Sequence, residues 1–169
     1  MRNINQRIGV FVDVQNLYYS ARNIYGARVN FSKILETGVN SRQLIRALAY
    51  VIKADIPEEQ TFFEALEKSG FEVKTKDIQI FPGGVKKGDW DVGIVIDMIR
   101  LGPKLDVMVL VSGDGDYVPA LEYLRNQGHR VEVIGFGKST SAKLISEADS
   151  FVDLDLESKK FLMPPKQPV

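Results

Sequence analysis

The chain has 169 residues, enough for one domain with a sizeable core, and its 44% hydrophobic and 26% charged content is ordinary for a soluble globular protein. It holds no cysteine and one histidine, His129, which excludes disulfides, thiolate zinc sites and thiol nucleophiles and leaves carboxylates as the main candidates for any metal site. Formal net charge is zero, no apolar run reaches membrane-spanning length, and the N-terminus MRNINQR lacks the hydrophobic region of a signal peptide. The expected setting is therefore the cytoplasm, with no membrane partner.

The charge is unevenly spread. Residues 1–53 carry eight basic residues (Arg2, Arg7, Arg22, Arg28, Lys33, Arg42, Arg46, Lys53) against Asp13 and Glu36, while residues 142–157 carry five acids against Lys143. That asymmetry permits a local polyanion-binding surface, and it is equally compatible with an ordinary mixed surface.

Taken in order, Ile8 to Val12 (I-G-V-F-V) is a short, continuously apolar run ended by Asp13, the pattern of a strand buried on both faces. Val14 to about Tyr25 follows as a helix, with Asn16 one turn beyond Asp13. Gly26 to Asn40 reads as a polar connection with a helical turn around Phe31 to Leu35. Ser41 is placed to cap a short helix through Arg46, and Leu48 to Ile52 to form the second strand. Pro57, Glu58 and Glu59 open a helix with Phe62, Phe63 and Leu66 inward and Gly70 at its stop. Phe71 to Thr75 is the third strand, and Ile78 to Phe81 is expected to pair with it or extend the sheet edge. Pro82-Gly83-Gly84 is a loop.

Lys86-Lys87-Gly88-Asp89-Trp90-Asp91 then leads into V-G-I-V-I-D-M-I. The spacing of Val92, Val95, Ile96 and Ile99 predicts the face of a helix packed on the sheet. Asp91 lies in its first turn, Asp97 about two turns later, and Gly102-Pro103 ends it. Val107 to Val111 is the fourth strand, broken abruptly by Ser112-Gly113-Asp114-Gly115-Asp116. Val118 to Leu124 is a helix stopped near Gly128, Val131 to Phe136 the fifth strand, Ser139 to Ala148 a helix, and Phe151 to Leu154 a short edge strand. Residues 158–169, ending Met163-Pro-Pro-Lys-Gln-Pro-Val, are expected as a flexible C-terminal tail after a domain over residues 1–157.

Strands alternating with helices predict a three-layer α/β/α sandwich with a mostly parallel central sheet, strand order 3-2-1-4-5. Ligands bind such sheets at the carboxyl ends of the strands, beside the point where the order reverses. Asp13, Asp114 and Asp116 fall at that edge, and Asp91 can enter from the side. Each Asp also has an ordinary use as a helix or turn cap. Converging carboxylates repel one another unless a cation neutralises them, and Asp and Asn oxygens are hard ligands suited to Mg²⁺ or Mn²⁺. Such ions support hydrolysis of phosphodiesters, with Lys86 and Lys87 available for substrate phosphates or, equally, as solvated loop lysines.

Competing motifs fail on particulars. No G-x-x-x-x-G-K-[ST] is present, and Gly135-Phe136-Gly137-Lys138-Ser139 lacks its spacing. A topoisomerase-primase site requires Glu where Asp13 stands. A haloacid-type phosphatase requires D-x-D where Asp13-Val14-Gln15 stands. His129 follows Gly128 in a helix-to-strand turn and reads as a surface residue.

F-V-D-V-Q-N (Phe11 to Asn16), K-K-G-D-W-D-V (Lys86 to Val92), I-D-M (Ile96 to Met98), L-V-S-G-D-G-D-Y-V-P (Leu110 to Pro119) and S-E-A-D-S-F (Ser146 to Phe151) together resemble the NYN domain, LabA-like subgroup, from about Ile8 to Asp155. The resemblance implies a PIN-like, Rossmann-like nuclease fold, Mg²⁺ or Mn²⁺ as cofactor, and RNA, single-stranded or structured, as substrate. It places the catalytic set on Asp13, Asn16, Asp91, Asp114 and Asp116, with the four Asp as metal ligands and Asp97 as a supporting acid or a structural cap. Lys86, Lys87 and Ser112 are the expected substrate contacts. A homodimer is compatible with the sequence. The expected function is a metal-dependent ribonuclease; the rival is a non-catalytic regulatory module that binds RNA, nucleotide or protein through the same site.

Overall fold

A computed structural model describes residues 3–165; Arg2 and residues 166–169 of the expected tail lie outside the described residues. Six parallel strands form the central sheet: β1 (Arg7–Asp13), β2 (Gln43–Lys53), β3 (Glu72–Asp77), β4 (Val107–Val111), β5 (Arg130–Gly135) and β6 (Ser150–Asp153). Their order is 3-2-1-4-5-6, so the predicted order holds for five strands and the short edge strand adds a sixth. β1 lies between β2 and β4, with Asp13 opposite Tyr50 and Val12 opposite Val111. β4 is buried at every residue, which accounts for its unbroken apolar run.

Alternation along β1 divides the core in two. Val10 and Val12 join Leu17 of α1 (Val14–Tyr25), Ile34 of α2 (Phe31–Val39) and Leu66 of α3 (Glu59–Lys68). Phe11 joins Met98 of α4 (Asp91–Leu101), Leu121 of α5 (Val118–Asn126) and Leu144 of α6 (Ala142–Glu147). One sheet between two helical layers is the sandwich that the alternating pattern predicts. Among the described residues no helix is long and apolar enough to cross a membrane.

Four local expectations need correction. Ser41 to Arg46 is not a helix: Asn40 and Ser41 adopt φ of 51° and 63°, and one strand then runs unbroken from Gln43 to Lys53. Ion pairs hold this stretch down, Arg42 to Glu132 on β5 at 2.7 Å and Arg46 to Glu72 on β3 at 2.5 Å. Ile78 to Phe81 leaves the sheet, and Gln79–Ile80 pairs with Lys86–Lys87 as a separate hairpin turned at Gly83 and Gly84, both at positive φ.

The face of α4 is the third correction. Val92, Ile96 and Ile99 are 75%, 54% and 40% exposed, whereas Ile94, Asp97, Met98 and Leu101 point inward. The helix is apolar nearly all round, so periodicity offered two faces. The buried one includes an acid, because Asp97 accepts hydrogen bonds from Tyr50 Oη at 2.8 Å, Lys74 Nζ at 2.6 Å and Arg100 at 2.5 Å.

The fourth correction is the tail. Ser158–Phe161 form α7, Phe161 is 2% exposed, and Leu162–Met163 pair antiparallel with Arg28–Val29. Ser158–Met163 joins the core through the aromatic ring of Phe161. Phe161→Ala is accordingly expected to cost about 3 kcal/mol, the usual loss for a buried Phe. A thermal melt should fall by roughly 5–10 °C, and an unchanged melt would mean that the ring is not part of the core.

Candidate active site

The carboxyl ends of β1 and β4 lie side by side, and the residues beyond each strand build the site. Asp13 is the last residue of β1 and caps α1, its Oδ1 accepting from the Asn16 amide at 3.3 Å. Asp114 caps the short 3₁₀ turn Gly115–Tyr117, its Oδ1 accepting from the Asp116 amide at 2.9 Å. The structural use of each Asp is therefore real, but it occupies one oxygen and leaves the other for different work. Asp13 uses its second oxygen inside the protein, where Oδ2 accepts from Ser112 Oγ and from Tyr117 Oη, each at 3.2 Å. Asp91, the first residue of α4, lies 3.1 Å from the same Tyr117 hydroxyl, whose single proton is directed at one of the two carboxylates at a time.

Asp91, Asp114 and Asp116 each offer a carboxylate oxygen, and these oxygens lie within 4.8 Å of one another. Asp91 and Asp114 are half-buried and Asp116 is exposed, so the cluster opens to solvent on one side. Asp13 connects to it through Tyr117 and is itself 7% exposed. Among the described residues none of these four carboxylates forms an ion pair with Lys or Arg, although eleven other pairs are present. Uncompensated carboxylates of this kind fit a hard divalent cation, with Asp91, Asp114 and Asp116 able to hold it directly.

The electrostatics agree. Burial pushes the Asp91 carboxyl up to about 6, and the charges of Asp114, Asp13 and Asp89 add to that against the opposing Tyr117 hydrogen bond. Asp13 is raised by burial too, opposed by the bonds from Asn16, Ser112 and Tyr117. Tyr117 is raised by burial and by Asp13 and Asp91, so it remains a protonated donor. Both carboxyls are destabilised as anions in the absence of a cation.

The loop holding Asp114 and Asp116 is fixed from behind. Asn16 Oδ1 accepts from the Gly113 amide at 2.9 Å, tying α1 to the loop, and the Ser141 amide donates to Gly113 O at 2.9 Å. A Cβ at Gly113 would stand 2.9 Å from Ser139 O and from Thr140 Oγ1, which is why glycine occupies this position. Ser139 in turn donates to Ser20 Oγ of α1 at 2.9 Å.

Other predicted residues fall differently. Ser112 is fully buried, its hydroxyl donating to Asp13 and accepting from the Asp114 amide at 3.2 Å, so it ties the end of β1 to the turn that carries Asp114. Asn16 has its carbonyl oxygen engaged by Gly113, which leaves its NH₂ group to donate to a ligand. Asp97 is bound to Tyr50, Lys74 and Arg100, and none of its hydrogen bonds reaches the cluster. Lys86 and Lys87 are exposed on the hairpin arm that leads into Asp91. That arm is anchored where Trp90 Nε1 donates to Val51 O at 2.9 Å and its ring meets Tyr50 edge-on at 5.3 Å. Tyr117 is the residue that sequence reasoning missed; its only signal is its place directly after the G-D-G-D run.

The profile of the NYN domain matches residues 7–155. The chain is 27% identical over 170 residues to the low amplitude and bright protein LabA of Synechococcus elongatus, covering 96% of this chain and 90% of that protein. It is 30% identical over 96 residues to an uncharacterized protein of Methanocaldococcus jannaschii, covering 56% of this chain and 36% of that one. The crystal structure of a protein of unknown function from Vibrio parahaemolyticus superposes with a TM-score of 0.87 at 35% identity, covering 96% of this chain and 99% of the other.

Proposed function

The chain belongs to the NYN domain family, and from that premise we propose that it is a metal-dependent phosphodiesterase acting on RNA, single-stranded or structured. The observation that carries the reading is the convergence of Asp91, Asp114 and Asp116 within 4.8 Å, at the carboxyl edge of a parallel sheet. This is where an open α/β sheet binds its ligand. Mg²⁺ or Mn²⁺ is the fitting ion, because the donors are carboxylate oxygens with neither Cys nor His beside them.

Asp91, Asp114 and Asp116 would hold the ion through their carboxylate oxygens. Asp13, held by Ser112 and the Asn16 amide, adds a fourth negative charge from the buried side. A bound ion of this class supplies charge for the phosphoryl oxygens and an acidified water for attack at neutral pH. The Asn16 NH₂ group orients a substrate phosphate, and Lys86 and Lys87 take phosphates further along the strand.

A substrate panel tests the reading. Purified protein is incubated in Mn²⁺ or Mg²⁺ with single-stranded RNA, structured RNA and single-stranded DNA. Cleavage of at least one RNA is the expected result. Cleavage of DNA alone would move the substrate class, and cleavage of nothing, with RNA still bound, would leave a binding module in place of an enzyme.

A further inference from the structure

The Tyr117 hydroxyl lies within hydrogen-bond distance of two carboxylates from different elements, Asp13 Oδ2 at the end of β1 and Asp91 Oδ1 at the start of α4. We propose that Tyr117 is a positioning residue that fixes the Asp91 carboxylate beside Asp114 and Asp116; the proposal rests on the metal-site reading above. The ring that carries this hydroxyl is fully buried and belongs to the same core cluster as Phe11, Ile94 and Leu121. A Tyr with its ring packed has only two torsions to set, so its hydroxyl is a fixed point. Tyr117 also closes the 3₁₀ turn that Asp114 opens and in which Asp116 lies. One turn thus presents two of the clustered carboxylates and reaches out to secure the third.

The two acids depend on this hydroxyl unequally. Asp13 has other donors, Ser112 Oγ and the Asn16 amide, and stays in place without Tyr117. For the Asp91 side chain, Tyr117 is the hydrogen-bond donor found among the described residues. Asp91 follows the exposed Asp89 and the hairpin arm, so without that bond its carboxylate can rotate toward water. Holding the Asp91 carboxylate in its cluster position before an ion arrives removes an ordering cost from ion binding. Groups that orient metal ligands in this way typically change affinity by tenfold or more when removed.

Tyr117→Phe removes the hydroxyl and keeps the ring, so the metal-free variant should melt close to wild type. Two readouts are then taken without RNA: the Mn²⁺ dissociation constant by titration calorimetry, and three-bond NMR couplings that report χ1 of Asp91 and Asp13. Mn²⁺ affinity should fall roughly tenfold, the lower end of such losses. Asp91 should average between rotamers in the variant while Asp13 keeps one. An unchanged Mn²⁺ constant overturns the proposal, as does a single Asp91 rotamer in the variant. Averaging of Asp91 in the metal-free wild type overturns it with no variant needed. Wild type that binds no Mn²⁺ at millimolar concentration overturns the metal-site reading and this proposal with it; wild type that binds while Tyr117→Phe binds equally overturns this proposal alone.

Discussion

Asp114→Asn is expected to lower the rate of RNA cleavage by on the order of a hundredfold or more, a loss of roughly 3 kcal/mol in barrier stabilisation, with little change in RNA affinity. The substitution keeps the side chain's shape and its Oδ1 can still accept from the Asp116 amide, so the turn is preserved. What it removes is one negative charge from a cluster whose oxygens lie within 4.8 Å of one another. Since the four acids have no Lys or Arg partner among the described residues, removing that charge breaks no ion pair of the fold. RNA affinity should hold or rise slightly, because repulsion of substrate phosphates is reduced. Mg²⁺ or Mn²⁺ should raise the wild-type melting temperature by binding the native state, and most of that rise should vanish in the variant. Lys87→Ala should behave in the opposite way, with weaker binding and a shallower salt dependence, since each lost phosphate contact releases fewer counterions. Equal cleavage by Asp114→Asn and wild type would remove Asp114 from the chemistry.

The second large effect is on stability. Asp97→Ala should cost about 2–3 kcal/mol, somewhat below the usual loss for breaking a buried ion pair, because Lys74 and Arg100 are partly open to solvent. The loss also leaves the buried Tyr50 hydroxyl without its acceptor. The melting temperature should fall by roughly 5–10 °C. The effect should also depend on pH. Burial alone would raise the Asp97 carboxyl, but the bonds from Lys74 and Tyr50 and the charges of Lys74 and Arg100 outweigh it and the carboxyl is lowered. A carboxyl lowered in the folded state contributes stability above its unfolded value, about 4, and that contribution is lost as pH falls through the folded value. The gap between wild type and Asp97→Ala should therefore be full at neutral pH and close below about pH 4. Asp13 and Asp91 are raised and change stability in the opposite sense, but both proteins contain them, so the difference isolates Asp97. A gap that persists undiminished in acid would show that Asp97 acts through packing and not through charge.

The strand ends were the most legible part of the sequence. β1 and β4 are short runs rich in β-branched residues and buried on both faces, so the polar residues that break them mark the sheet edge: Asp13 directly after β1, and Asp114 in the Ser112-Gly113-Asp114 turn after β4. Asp91 was legible as the first acid of a helix. Contacts between distant segments were not. Tyr117 meets Asp13 across 104 residues and Asp91 across 26, and no local pattern distinguishes it from a core aromatic. Ser112 has the composition of a substrate-binding loop residue, yet the close packing of its loop against residues 139–141 buries it completely. The face of α4 was misread because hydrophobic periodicity cannot anticipate an acid buried by Lys74 and Tyr50. Residues 158–169 were expected as a flexible tail, and within them a single buried ring, Phe161, anchors Ser158–Met163.

The most direct measurement is the cleavage rate of one defined RNA by wild-type protein, taken with its affinity for that RNA, once in Mn²⁺ and once in chelator. If the carboxylates hold an ion that serves hydrolysis, the RNA is bound under both conditions and cut only in Mn²⁺. RNA that is bound but uncut in Mn²⁺, or cut equally well in chelator, contradicts the account.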